Sequence, residues 1–105
     1  MARRIRWSDL AYREFEEATE YISRNSVTNA ASFAARVIEK VESLLISAEH
    51  HGVVPEWNEE TLRETLVDRY RLIYQVTQFE IRIVGLIHGS RDLLSHWIAA
   101  QRGLE

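Results

Sequence analysis

The stretch Tyr70-Arg71-Leu72-Ile73-Tyr74-Gln75-Val76 alternates side chains with period two, which predicts a β-strand. One predicted face carries Leu72, Tyr74 and Val76, and the other carries Arg71, Ile73 and Gln75. Residues 80–88 form the next predicted strand, with positions 81, 83, 85 and 87 on one face and 82, 84, 86 and 88 on the other. Residues 62–67 form a strand before the tight turn Asp68-Arg69. Because short turns join neighbouring strands, we expect a three-stranded antiparallel meander.

The amino-terminal half of the chain has the periodicity of helices. Residues 4–7 predict a short strand, and Ser8 or Asp9 is the expected cap of a helix that ends near Arg24. Its apolar stripe consists of Ala11, Phe15, Ala18 and Ile22. Thr28 is the expected cap of a second helix, whose stripe runs from residue 30 to residue 48. A short polar turn separates the two helices, so they should pack as an antiparallel hairpin.

These elements predict an α+β fold. It contains an amino-terminal strand, an α-helical hairpin, the three-stranded meander and a short carboxy-terminal helix over residues 92–100. The hairpin should cover one face of the sheet and bury the apolar stripes of both layers. We expect one domain over residues 1–102. Residues 103–105 form a tail, in which Leu104-Glu105 is typical of a cloning remnant.

Composition narrows the class of protein. The chain has 105 residues, of which 46% are hydrophobic and 28% charged, as expected for one soluble domain. No apolar run is long enough to span a bilayer, and there is no cysteine. We therefore expect a cytoplasmic protein without a membrane anchor or a cofactor. His50 and His51 are adjacent and lack acidic partners at ligand spacing, so no metal site is expected.

The formal net charge of −3 is unevenly distributed. Residues 49–68 contain six acidic residues and one basic residue, Arg63, whereas arginine predominates over residues 69–102. Lys40 is the only lysine among thirteen basic residues. A chain this acidic is a poor candidate for non-specific binding of nucleic acid, which requires neutralisation of phosphates.

Several phrases in the right order resemble the ParE/RelE toxin superfamily across nearly the whole chain. The phrases are Ile5-Arg6-Trp7-Ser8, Tyr21-Ile22, Gly52-Val53-Val54-Pro55-Glu56, Leu62-Arg63-Glu64, the strand 70–76 and Ile87-His88-Gly89-Ser90-Arg91-Asp92-Leu93. The resemblance implies a growth-inhibiting toxin of a bacterial type II toxin–antitoxin system. Such a toxin is neutralised by a cognate antitoxin, so we expect a hetero-oligomer.

The superfamily contains two kinds of toxin. RelE-like members cut messenger RNA on the ribosome, and ParE-like members are associated with poisoning DNA gyrase. Arg71 and Arg91 match two arginines of the RelE-like nucleases, but Leu62 and Glu64 stand where those nucleases have lysines. Trp97 replaces their terminal tyrosine. These departures favour a non-enzymatic, ParE-like gyrase poison, with a ribosome-dependent endoribonuclease as the alternative.

Under the nuclease alternative, the catalytic residues would be Arg71, Arg91 and His88. A histidine suits proton transfer near neutral pH, and arginines stabilise phosphate charge. Each also has a structural interpretation. Arg71 is placed to pair with Glu64 across the sheet, Arg91 with Asp92 to fix the start of the last helix, and His88 to satisfy a strand end.

Binding of a partner protein is a further expectation. A domain with one covered sheet face should leave a groove and a sheet edge free for an antitoxin strand and an amphipathic antitoxin helix. We expect Arg63, Arg69 and Arg82 to lie at the rim of that groove and contact an acidic or amphipathic antitoxin tail. Trp57 is a candidate aromatic anchor of the same interface.

Overall fold

A computed structural model describes residues 3–57 and 59–92. Its elements in chain order are β1 (Arg4–Trp7), α1 (Asp9–Ser23), α2 (Val27–Ser47), a 3₁₀ turn (Ala48–His50), β2 (Leu62–Val67), β3 (Tyr70–Val76) and β4 (Glu80–His88). The predicted α+β fold, with a helical hairpin on one face of the sheet, is confirmed. The predicted carboxy-terminal helix and Trp97 lie outside the described residues. Within the described ranges, no helix is both long and apolar enough to cross a membrane.

Serine side chains begin both helices. The Ser8 hydroxyl accepts a hydrogen bond from the backbone N–H of Ala11 at 3.0 Å, as predicted. The second helix differs from the prediction, because Ser26 rather than Thr28 is its cap. Ser26 is extended, with φ −159° and ψ 113°, and its hydroxyl accepts from the N–H of Asn29 at 3.0 Å. Thr28 already lies within the first turn of α2.

The four strands form one mixed sheet in the order β1-β4-β3-β2. β2, β3 and β4 are the predicted antiparallel meander, and Asp68 turns the chain between β2 and β3 with a left-handed φ of 55°. β1 pairs in parallel with β4, and the helical hairpin carries the chain from β1 across the sheet to β2 at the opposite edge. Residues 52–54 cover part of the β2 edge, where Val53 forms a bridge with Arg63. The outer edge of β1 is therefore the open edge of the described sheet.

A β-bulge in β4 changes which face its last residues occupy. Ile73 pairs with Gly85 and Tyr74 with Ile83, so Val84 is an extra residue without a counterpart in β3. The strict alternation predicted for residues 81–88 is therefore wrong beyond the bulge. Leu86 packs with the helices, and Ile87 packs on the opposite face.

Apolar side chains form two clusters, one on each face of the sheet. The larger cluster lies between the helices and the sheet and includes Phe33, Leu44, Leu72 and Tyr74. The smaller cluster lies on the face opposite the helices and contains Val54, Leu62, Ile73, Val84 and Ile87, with Trp57 packed against it. The connection between the 3₁₀ turn and β2 therefore covers part of the second face.

Candidate functional site

Arg71 lies on the sheet face opposite the helices, where two carboxylates hold its guanidinium. Its Nη1 and Nη2 atoms donate to Oε2 and Oε1 of Glu56, each at 2.9 Å. Its Nε donates to Oε1 of Glu64 at 2.7 Å, and its Nη2 also contacts that oxygen. Only 12% of the Arg71 side chain is exposed. The predicted pair with Glu64 is present, and Glu56 adds a bidentate pair from the connection before β2.

The electrostatics of this cluster follow from one cation between two anions. Hydrogen bonding to Glu56 raises the pKa of Arg71 above its usual value, and the same contact lowers the pKa of Glu56. Both bidentate edges of the guanidinium are occupied by carboxylate oxygens. A phosphate can therefore bind Arg71 only if it displaces the carboxylate of Glu56 or of Glu64. It would then lie close to the carboxylate that remains.

His88 and Arg91 line a cleft of about 440 Å³ between α1 and the β4 end of the sheet, beside Tyr21 and Tyr70. The backbone N–H of Ser90 donates to Nδ1 of His88 at 3.2 Å, and the Ser90 hydroxyl lies 2.7 Å from the same nitrogen. Nδ1 thus accepts the hydrogen bond from the Ser90 backbone. The predicted structural role of His88 at a strand end is therefore satisfied by Ser90.

The cleft also contains acidic side chains from α1. Glu14 and Glu17 line it, and Oε1 of Glu14 accepts a hydrogen bond from the backbone N–H of Leu86 at 3.0 Å. Burial raises the pKa of Tyr70, so this phenol remains protonated at neutral pH. Glu14, Glu17 and Arg91 thus give the cleft charges of both signs, which suits polypeptide groups that donate and accept hydrogen bonds.

The sheet separates Arg71 from the other two candidate catalytic residues. The ring of His88 packs edge-on against that of Tyr70 at 5.3 Å, and Tyr70 packs on Phe33 of α2 at 5.1 Å. His88 therefore lies on the helix-covered face, whereas Arg71 lies on the opposite face beside Glu64. The structure brings Arg91 and His88 to one cleft but does not bring Arg71 to it. The catalytic roles of all three remain predictions.

The three arginines predicted at one rim lie in separate places. Arg63 pairs in register with Tyr74 on the helix side and donates to the His51 carbonyl oxygen at 2.6 Å. Arg69 is exposed in the turn between β2 and β3. Arg82 pairs in register with Gln75, a position on the opposite face of the sheet. A single antitoxin tail along one groove edge does not meet all three side chains.

Two of the remaining predicted contacts have structural partners of their own. Trp57 is half-buried against the smaller apolar cluster, so most of its ring contributes to packing. Arg82 lies 3.3 Å from Glu80, and its Nε atom is shielded from solvent without a hydrogen-bond partner. The predicted roles of Arg63, Arg69, Arg82 and Trp57 in partner binding remain predictions.

Sequence reasoning missed Glu56 as the bidentate partner of Arg71. Fifteen positions separate the two residues, and Glu56 lies in an irregular connection whose path has no periodicity. In the sequence, only its place in the Val-Pro-Glu phrase distinguished Glu56 from other acidic residues. No three histidine, aspartate or glutamate side chains in the described parts of the chain are arranged to hold a metal ion.

Comparisons with known proteins support the assignment of a family. A family profile described as the ParE toxin of type II toxin–antitoxin system, parDE, matches residues 5–93. No curated protein sequence matches the chain.

Two solved structures share the fold. The first is described as the chromosomal ParDE TA system from P. aeruginosa; it is 16% identical, with a TM-score of 0.68, and the match covers 83% of this chain and 96% of that one. The second is described as the YoeB dimer from Staphylococcus aureus; it is 17% identical, with a TM-score of 0.57, and the match covers 84% of this chain and 98% of that one. At these identities the likeness concerns the fold alone. The profile, in contrast, spans both helices and all four strands, and the chain therefore belongs to the ParE toxin family of type II toxin–antitoxin systems.

Proposed function

We propose that this chain is a ParE-like toxin that stops bacterial growth by poisoning DNA gyrase through protein contact, and that its cognate antitoxin neutralises it. The chain acts in the cytoplasm, without a cofactor and without cutting RNA. The antitoxin partner follows from the family, whereas the gyrase target is the additional step of this proposal.

The observation that carries the proposal is the position and pairing of Arg71. An RNA-cleaving site needs a base, an acid and cations around one phosphate. Arg71 is held by Glu56 and Glu64 on one face of the sheet, while His88 lies on the other. These residues do not surround a common point at which a phosphate could react.

The two positions at which RelE-like nucleases have lysines support the same conclusion. Leu62 is 1% exposed and packs in the smaller apolar cluster, so a charged side chain there would have to be buried. Glu64 places a negative charge beside Arg71. In this proposal Arg71 stabilises the fold, and the toxin inhibits gyrase through protein contact.

The open edge of β1 offers an attachment site for an antitoxin strand. The backbone N–H of Arg4 donates to the carbonyl of Phe79, in the turn before β4, at 3.0 Å, and that of Ser8 donates to the carbonyl of Ile83 in β4 at 2.9 Å. In a parallel pair, alternate residues point their backbone groups to opposite sides, so Ile5 and Trp7 direct theirs away from β4. An extended antitoxin segment can pair with these groups.

The experiment that tests the proposal is expression of the chain in growing bacteria, with and without the antitoxin. Plasmid supercoiling and the 5′ ends of transcripts are measured from the same cultures. The proposal expects relaxed or broken plasmid DNA and an unchanged pattern of transcript ends. It also expects the double variant His88→Ala, Arg91→Ala to inhibit gyrase as long as it folds. New transcript ends with normally supercoiled plasmid would instead establish the nuclease alternative.

A further inference from the structure

Three arginines lie together on the sheet face opposite the helices, beside the outer strand β1. Ile5 and Trp7 pack against the larger apolar cluster, so the alternating residues Arg4 and Arg6 lie on the other face. Arg82 is the register partner of Arg6 in β4 and shares that face. We call these three arginines the arginine patch. Its two residues on β1 are exposed to solvent.

Within the described residues, one carboxylate is shared between two members of the arginine patch. Glu80 lies 3.3 Å from Nη2 of Arg82 and 3.7 Å from Nε of Arg6. Both distances exceed the usual length of a charge-assisted hydrogen bond, about 2.7–2.9 Å. The Nε atom of Arg82 is shielded from solvent and has no hydrogen-bond partner in the described structure. The patch therefore has more positive charge and more donors than this carboxylate satisfies.

The other half of the same sheet face has the opposite charge. Over β2 and β3, the guanidinium of Arg71 lies between the carboxylates of Glu56 and Glu64. The strand order β1-β4-β3-β2 separates that cluster from the arginine patch, since the outer strands of such a sheet are roughly 14 Å apart. The face is positive beside β1 although the whole chain has a net charge of −3. This polarity orients an anionic partner over β1 and β4.

The residue type and the spacing of the arginine patch favour phosphate as the anion. A guanidinium donates two parallel hydrogen bonds to one phosphate, which a lysine cannot do. Alternate residues of a strand are about 6.6 Å apart and neighbouring strands about 4.8 Å, so the patch presents a short row of cations with one beside it. The phosphates of one DNA strand form a matching row of accessible anions. Carboxylates at this spacing would require an acidic partner strand, which would pair with the β1 edge rather than lie across the face.

We propose that the arginine patch binds the phosphate backbone of the duplex DNA that gyrase holds. This inference rests on the proposed function, because a gyrase poison acts beside the DNA bound to its target. The net charge of −3 keeps the affinity for free DNA low, so the patch acts mainly where gyrase presents the DNA. It adds a DNA contact to the protein contact with gyrase.

The first measurement is the affinity of the purified chain for a short fluorescent DNA duplex, at about 50 and 200 mM salt. Each neutralised phosphate contributes about 0.9 to the slope of log affinity against log salt, so three contacts predict about a 40-fold loss over this range. The variant Arg4→Gln, Arg6→Gln, which we call the patch variant, should lose only about 3.5-fold. The matched controls are Arg13→Gln and Arg69→Gln, which remove exposed arginines outside the patch and should behave like the wild type.

The second measurement is inhibition of purified gyrase in a supercoiling reaction. The patch variant should require about tenfold or more protein to stop supercoiling, whereas Arg13→Gln and Arg69→Gln should not. Both substituted side chains of the patch variant are exposed, so circular dichroism should show the wild-type fold. Glu80→Gln removes the shared carboxylate and should strengthen both DNA binding and inhibition.

The outcomes separate this inference from the proposed function. No binding of the duplex at low salt, or an unchanged salt dependence in the patch variant, overturns the inference and leaves gyrase poisoning untouched. Unchanged inhibition by a patch variant that has lost DNA binding also overturns it. Tighter binding of single-stranded RNA overturns it in favour of an RNA ligand, and tighter binding of polyglutamate in favour of an acidic protein. Duplex binding that the patch variant loses, in a chain that leaves gyrase unaffected, supports the patch as a DNA site and refutes the proposed function.

Discussion

Replacing Arg71 with methionine should destabilise the fold, because it leaves Glu56 and Glu64 facing each other without a cation. The side chains of Arg71, Glu56 and Glu64 are 12%, 31% and 25% exposed, so the cluster is between a surface and a buried ion pair. Losing one partner of a buried pair costs about 3–5 kcal/mol, and an exposed pair contributes about 0–1 kcal/mol. We expect the free energy of unfolding to fall by about 2–3 kcal/mol at pH 7. Urea unfolding followed by circular dichroism measures it.

The same substitution should change the dependence of stability on pH. In the native protein the pKa of Glu56 is lowered from its usual value of 4.5, chiefly by the hydrogen bond from Arg71. The native state therefore binds fewer protons than the unfolded chain, and this contribution is complete above pH 4.5 and lost as the pH falls below it. In Arg71→Met, mutual repulsion raises the carboxyl pKa values instead. The difference in stability between the two proteins should shrink on acidification.

A triple variant is the control for this prediction. Glu56→Gln, Glu64→Gln and Arg71→Met together remove all three charges, and they should recover most of the stability lost by Arg71→Met alone. The reasoning is refuted if Arg71→Met unfolds at the same urea concentration as the wild type at pH 7. It is also refuted if the loss does not change between pH 7 and pH 4.

Three further predictions concern stability in urea. Tyr74→Phe should lower the free energy of unfolding by about 1–2 kcal/mol, because the buried hydroxyl donates to the carbonyl of Ala48 at 2.6 Å; no loss contradicts that bond. Ser26→Ala should cost about 1 kcal/mol and Thr28→Ala much less, and the reverse order would restore Thr28 as the cap. Trp57→Ala should lower the free energy of unfolding by about 2 kcal/mol, because it exposes the smaller apolar cluster. An unchanged urea midpoint would contradict a role of Trp57 in stability and leave only its predicted role in partner binding.

Periodicity was sufficient to predict the layers of the fold. The 3.6-residue stripes of α1 and α2 and the alternation in β3 each correspond to a buried face in the structure. The exception is Leu45, which the pattern placed in the α2 stripe and which is 50% exposed. Periodicity could not place β1, because its parallel partner β4 lies beyond both helices and two further strands in the chain, so no local turn sets the pairing. It also could not anticipate the bulge at Val84, since an inserted residue shifts the alternation without changing the composition of the strand.

The candidate site was less predictable than the fold. The pair between Arg71 and Glu64 followed from strand register, but Glu56 reaches Arg71 from a connection whose conformation depends on tertiary packing. The bulge determined that His88 faces the helices, which placed it across the sheet from Arg71.

The most direct test of gyrase poisoning is a supercoiling reaction with purified components. Relaxed plasmid, ATP and gyrase are incubated with increasing amounts of the chain, and the DNA products are separated by electrophoresis. The account predicts that supercoiling stops, that cleaved plasmid accumulates and that prior addition of the antitoxin prevents both effects. Full supercoiling at every concentration of a chain that still arrests growth would contradict it.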